Sequence, residues 1–119
     1  MNKYTELSDF EINRLIAEMD AKNRYVYFEK EQTIFRKFNN GQTQKFNPCN
    51  YPADAMPIII ENNISITLSD DKGEGRWMAF DGDWYDEYSL SRTSVSYGDN
   101  YYRIAMICFL LMKDAENNQ

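Results

Sequence analysis

Apolar positions change their spacing several times along this chain, and each change predicts a different element. Ile12, Leu15, Ile16 and Met19 recur at helical intervals. They follow Ser8, Asp9, Phe10 and Glu11, the pattern of a capping box, in which the Ser8 hydroxyl accepts from the Glu11 amide and the Glu11 carboxylate reaches back. Leu7 and Ile12 hold the two positions of a hydrophobic staple. A helix over about 9–20 follows, burying one stripe.

The spacing then shortens. Tyr25 to Phe28, Thr33 to Phe38 and Thr43 to Phe46 are rich in aromatic and β-branched residues. Asn40-Gly41 is a two-residue hairpin signal, because both residues tolerate positive φ, and it predicts a hairpin across 33–46. Asn47 to Pro52 is turn chemistry. Pro52 suits the first position of a helix and Asp54 its positive end, so a second helix runs towards Glu61. Pro57 lacks the amide that the ladder needs, which predicts a kink there or a new helix starting at that residue. Asn62 and Asn63 end it.

Ile64, Ile66 and Leu68 alternate with Ser65 and Thr67 as a half-buried strand. An acidic loop, 69–75, leads to a strand over 76–80, and Asp81-Gly82 turns the chain towards a third strand at 84–90. The stretch 91–97 is left unassigned. Asp99 is the expected cap of a last helix over about 100–114, with Ile104, Ile107, Cys108 and Leu111 on its core face. Met106, Phe109, Leu110 and Met112 lie on its other faces, so most of its circumference requires burial. The tail 116–119 is expected to fray. The predicted fold class is α+β: one antiparallel sheet of about five to six strands packed against three helices, in a single domain spanning 1–119. The second half shares its helix–three strands–helix order with double-stranded RNA-binding domains.

Composition agrees with one packed core. The chain has 119 residues, 43% hydrophobic and 15% aromatic. Two cysteines, Cys49 and Cys108, are too few for a disulfide framework, no signal peptide pattern opens the chain, and the longest apolar run, 104–112, is half of what spans a bilayer. A cytoplasmic protein without a membrane segment is expected. Net charge is −6, which opposes a general nucleic-acid partner. The charge is uneven, however. Residues 22–45 hold six cations and two acids, a net +4, whereas 54–87 hold nine acids and two cations, a net −7. Opposed charges of this kind also allow self-association.

Candidate chemistry is sparse. With no histidine, the commonest general base near neutrality and the commonest zinc ligand are both missing, and no nucleophile elbow, P-loop or dinucleotide glycine pattern occurs. No enzyme and no cofactor are expected. Asp81, Asp83 and Asp86 could supply oxygen ligands to Mg²⁺ or Ca²⁺, but Tyr85 stands where a calcium loop places its third ligand, so a solvated turn explains them as well. Trp84 and Tyr85 beside those acids suit a recognition surface or a core, while Trp77 suits the core. The 22–45 stretch, with Tyr25, Tyr27, Phe35 and Phe38 between its cations, reads as a ribbon for single strands or as a lysine-bearing edge that resists aggregation. Cys49 has no cationic neighbour in sequence and is expected to be an ordinary thiol, and Cys108 a core residue.

Three segments, Leu7 to Asn13, Asn47 to Ile59 and Arg103 to Met112, together resemble the NinX-like phage proteins, a domain-of-unknown-function family of tailed phages and prophages of enteric bacteria. Asn50, Asp54, Ala55, Pro57 and Ile58 are the most specific part of that likeness. Met56 stands where the family tends to have Trp, and Tyr102 where Pro usually precedes the Arg. The resemblance implies an accessory role in the infected cell and supplies no reaction. The leading expectation is therefore a protein that binds and modulates a host or phage factor. The surface singled out is acidic: Asp70, Asp71, Glu74, Asp81, Asp83, Trp84, Tyr85, Asp86 and Glu87, and a sharper variant of the expectation has this face mimic DNA phosphates. The alternative is nucleic-acid binding through the 22–45 ribbon.

Overall fold

The computed structural model describes residues 2–71, 73–82 and 94–117. The elements are α1 (Asp9–Glu18), β1 (Arg24–Phe28), β2 (Thr33–Lys37), β3 (Thr43–Lys45), α2 (Pro52–Glu61), β4 (Ile64–Leu68), β5 (Trp77–Asp81), β6 (Val95–Gly98) and α3 (Tyr101–Asn117). Class and element order are as the sequence predicts, but the strands form two antiparallel sheets of three, β1-β2-β3 and β4-β5-β6, not one.

The reason lies in α3. Ile104 to Leu110 are all buried, a run that no single sheet could cover. The second sheet therefore takes one side of α3 while α1 and α2 take others, and α1 packs in turn on β2. Strand β3, only three residues long and exposed throughout, ends the first sheet.

Several local predictions meet their physical limits here. The capping box forms, with the Glu11 amide donating to Ser8 Oγ at 3.1 Å and the Ser8 amide to Glu11 Oε1 at 3.3 Å. The buried stripe shifts, however: Phe10, Asn13 and Ala17 join Ile12 and Ile16, while Met19 falls beyond the helix and is exposed. The β2–β3 connection is a three-residue loop, not a two-residue one. Phe38 accepts from the Gly41 amide at 3.0 Å and donates to the Gln42 carbonyl at 2.9 Å. Only Gly41 needs positive φ (86°), and Asn40 instead uses Oδ1 to accept the Gln42 amide. Helix α2 runs through Pro57 without restarting, and Asn63 leaves it at φ 54°.

In the second half, the strand expected at 84–90 lies outside the described residues, and the strand that pairs with β5 is Val95–Gly98. Its partner residues keep the inner face small. Ala79 lies opposite Ser96, and Gly98 opposite Trp77, so α3 settles close against the sheet. A Cβ on Gly98 would sit 2.8 Å from Ile104 Cγ2. The cap of α3 is Asn100, whose Oδ1 accepts the Tyr102 and Arg103 amides, both at 3.1 Å. Asp99, expected in that role, accepts the Arg76 amide at 2.9 Å and ties the second sheet's hairpin loop to the helix start. The helix continues to Asn117, beyond the expected end at 114.

Gly98→Val should therefore destabilise the fold. Ile104 is buried and its branched side chain is stiff in a helix, so the new methyl groups have no cheap exit. A loss of about 1–3 kcal/mol is expected from urea unfolding, and an unchanged midpoint would refute the close contact.

Candidate functional site

The starts of the three helices converge on one polar junction. Asn13 of α1 is buried, donates through Nδ2 to Asn47 Oδ1 at 2.8 Å, and accepts the Cys49 amide at 3.0 Å. The Asn47 amide donates to Asp54 Oδ2 at 2.9 Å. Asn50 donates to Asp9 Oδ2 and to Asn47 Oδ1, both at 3.0 Å, and accepts from Asn100 at 3.2 Å. Arg103, near the start of α3, closes the circuit. Its guanidinium donates to Asp9 Oδ1 at 2.7 Å and to the carbonyls of Leu7 at 2.7 Å and Thr5 at 3.1 Å.

Asp9 and Asp54 also stand in the first turns of α1 and α2, where the peptide dipoles favour negative charge. Burial pushes the Asp54 carboxyl up, against the opposing pull of the Asn47 amide and the Arg36 charge. The three segments that carry the family resemblance meet at this point. Every side chain in the circuit is matched to another part of the protein, which is the signature of a structural joint.

Cys49 lies at its centre and is fully buried. Burial pushes its thiol up to about 12, and Asp9 adds to the shift. The Arg103 charge acts in the opposite direction, but desolvation dominates. Cys108 is likewise buried and pushed up to about 12. Burial disfavours the thiolate form of both.

The acidic surface is only partly brought together. Asp70, Asp71 and Glu74 sit in the β4–β5 loop, and the Tyr97 phenol is pushed up by burial and then by these three charges. Asp71 is occupied locally, its Oδ1 accepting the Gly73 amide at 3.0 Å. Asp81 ends β5 opposite Ile64, at the far end of the strand from that loop, and its charge adds to the raised Cys108 thiol. Asp83, Trp84, Tyr85, Asp86 and Glu87 lie outside the described residues. Among the described residues, no three metal-ligating side chains gather in one place. Trp77 is half-buried, packs against the core and meets Tyr101 edge-on at 5.1 Å.

The 22–45 ribbon divides between two faces. Tyr25, Tyr27, Ile34 and Arg36 share the inner face by register. There Tyr25 packs at a tilt against Phe46, 4.8 Å between ring centres, and donates to Asp20, Arg14 sits 5.4 Å over the Tyr27 ring, and Arg36 covers Phe38. Half of the ribbon is therefore core material.

A surface that was not anticipated lies on α2. Ala55 and Ile59 point inward, whereas Pro52, Ala53, Met56, Pro57 and Ile60 are exposed, Ile60 to 66%, and Tyr51 continues the strip past the helix start. Ile60 also lines an open groove with Asn63, Ser65 and Gly82. The signal was present in the sequence: a ten-residue helix with apolar residues all round cannot bury every face at a surface.

Two outcomes follow from the junction. Asn13→Leu should cost about 1–3 kcal/mol in urea unfolding, because the Cys49 amide and Asn47 lose a buried partner. Stability should also fall as pH rises above about 9, the ordinary thiol value. Both thiols hold their protons in the fold up to about 12, so the unfolded chain is the first to lose them. The buried Tyr4 and Tyr25 phenols, also pushed up and each bonded to a carboxylate, extend the trend. A urea midpoint that stays flat from pH 8 to 11 would contradict this.

The sequence matches the family described as "Bacteriophage P22, NinX" over residues 3–113, and the chain belongs to that phage family. No match is found among curated proteins or solved structures.

Proposed function

We propose that this NinX-family chain is a non-catalytic accessory protein that works by binding another protein, with the exposed face of α2 as the contact. The single observation behind this is the strip of Tyr51, Met56, Pro57 and Ile60, left in water on a helix whose opposite side is core. Contiguous apolar surface costs free energy in an isolated globule and is typical of a contact patch. Its edges are polar and of opposite sign: Lys45 stands 6.0 Å over the Tyr51 ring at one end, and Glu61 closes the other. That matches the apolar centre and charged rim of a specific interface.

Absence of catalysis is supported by the lack of histidine and by two thiols that burial keeps protonated. The acidic surface is the weaker candidate for the contact. Of its described members, Asp70, Asp71 and Glu74 share the β4–β5 loop, whereas Asp81 stands at the other end of β5.

A photo-crosslinking residue placed at position 60 in infected cells should give a discrete adduct with one foreign protein, while the same residue at exposed Glu18 on α1 should not. Met56→Glu should abolish protein binding without lowering the melting temperature, since the side chain is solvent-accessible. No adduct above the position-18 control would refute the proposal. An adduct of twice the chain's mass would make the strip a self-association face and refute a foreign partner.

A further inference from the structure

The outer face of the first sheet has a composition that the fold does not explain. Register places Arg24, Val26 and Phe28 of β1 on it, with Thr33, Phe35 and Lys37 of β2 and Thr43 and Lys45 of β3. Its middle is apolar. Phe28 and Phe35 meet edge-on at 5.6 Å, and Val26 lies opposite Phe35. None of these three belongs to the core or packs against it, and Phe28 is 43% exposed. Helix α1, which packs on β2 from the side of Ile34, leaves this face open among the described residues.

The cations flank that apolar centre. Arg24 is directly opposite Lys37, and like charges in that position destabilise a strand pair. Protection of a sheet edge does not account for Lys37, because β2 is the central strand. No acid shares the face. The adjacent Glu29 is held by Arg14 of α1, and none of the three cations forms an ion pair among the described residues. Although the chain carries −6 overall, salt screens charges more than about 10 Å away, so a ligand on this sheet meets the local +3.

We propose that this face binds single-stranded nucleic acid, with Phe28 and Phe35 stacking on bases and Arg24, Lys37 and Lys45 neutralising phosphates. Partly exposed aromatic rings between cations can each take an unpaired base on a face or an edge, whereas duplex DNA hides its bases. The charge repulsion between Arg24 and Lys37 is relieved when a phosphate lies between them. Lys45 borders both this face and the α2 strip, but Arg24, Phe28, Phe35 and Lys37 lie outside the strip, so either proposal can fail without the other.

The test is fluorescence anisotropy of the full chain against labelled dT15, rU15, a dT15·dA15 duplex and a glutamate 15-mer. Single strands should bind in the micromolar range at 50 mM NaCl and roughly 15-fold more weakly at 200 mM, the slope of about −2 expected for three phosphates. Phe28→Ala should weaken binding about 5-fold or more with the slope unchanged. Arg24→Glu should weaken it about 10-fold or more while raising the melting temperature, since position 24 would then pair with Lys37; a merely structural cation would not separate the two readouts. The dT15 and rU15 arms identify which kind of strand is preferred. No saturable single-strand binding at 50 mM NaCl would overturn the proposal. Equal affinity for duplex or for polyglutamate, with Phe28→Ala inert, would assign the face to polyanions or acidic proteins and overturn it too.

Discussion

Arg103 is the point through which the two halves of the molecule are joined. Its guanidinium takes the carboxylate of Asp9 and two backbone carbonyls from the segment leading into α1, so the longest helix is anchored to the first one. Asn13 then joins α1 to the turn that starts α2. A planar, permanently charged fork suits this place, since it satisfies several acceptors at fixed angles, which a lysine does not. Because α3 is apolar on nearly every side, its position decides where the second sheet, α1 and α2 sit, and the first sheet follows α1.

That arrangement leaves the surfaces with distinct characters. The polar junction is closed on itself, with donors and acceptors matched internally, and burial disfavours the thiolate at its heart. Helix α2, pinned at its start and covered on one side only, exposes the rest of an apolar circumference. The first sheet is covered on its inner face by α1 and keeps three cations and two phenylalanines on the other. The proposed protein contact and the proposed strand contact centre on different elements, α2 and the first sheet, and border each other at Lys45. Both depend on helices that pack one way and not another.

The charge distribution has the same origin. Basic residues fall in the first sheet and acidic ones in the second half, as the linear order already indicates. What the order does not say is that the basic ribbon is cut lengthwise by the alternation of strand side chains. Arg36 goes to the inner face with Tyr25 and Tyr27, while Arg24, Lys37 and Lys45 go outward. The net charge of a small domain is therefore a poor guide to the field over any one of its faces.

Local chemistry was legible in the sequence because it is decided within a few residues: the Ser8–Glu11 cap, Pro52 at a helix start, Asn63 at its end, the alternation of Ile64 and Ile66, and the order of all nine elements. So was the family likeness, whose three segments carry the joint. Only the tertiary structure decided that the strands split into two sheets, that Asn100 and not Asp99 caps α3, and that Met56 and Ile60 stay in water. Those outcomes depend on which bulky face wins burial against another far away in the chain, and no short window of sequence contains both competitors.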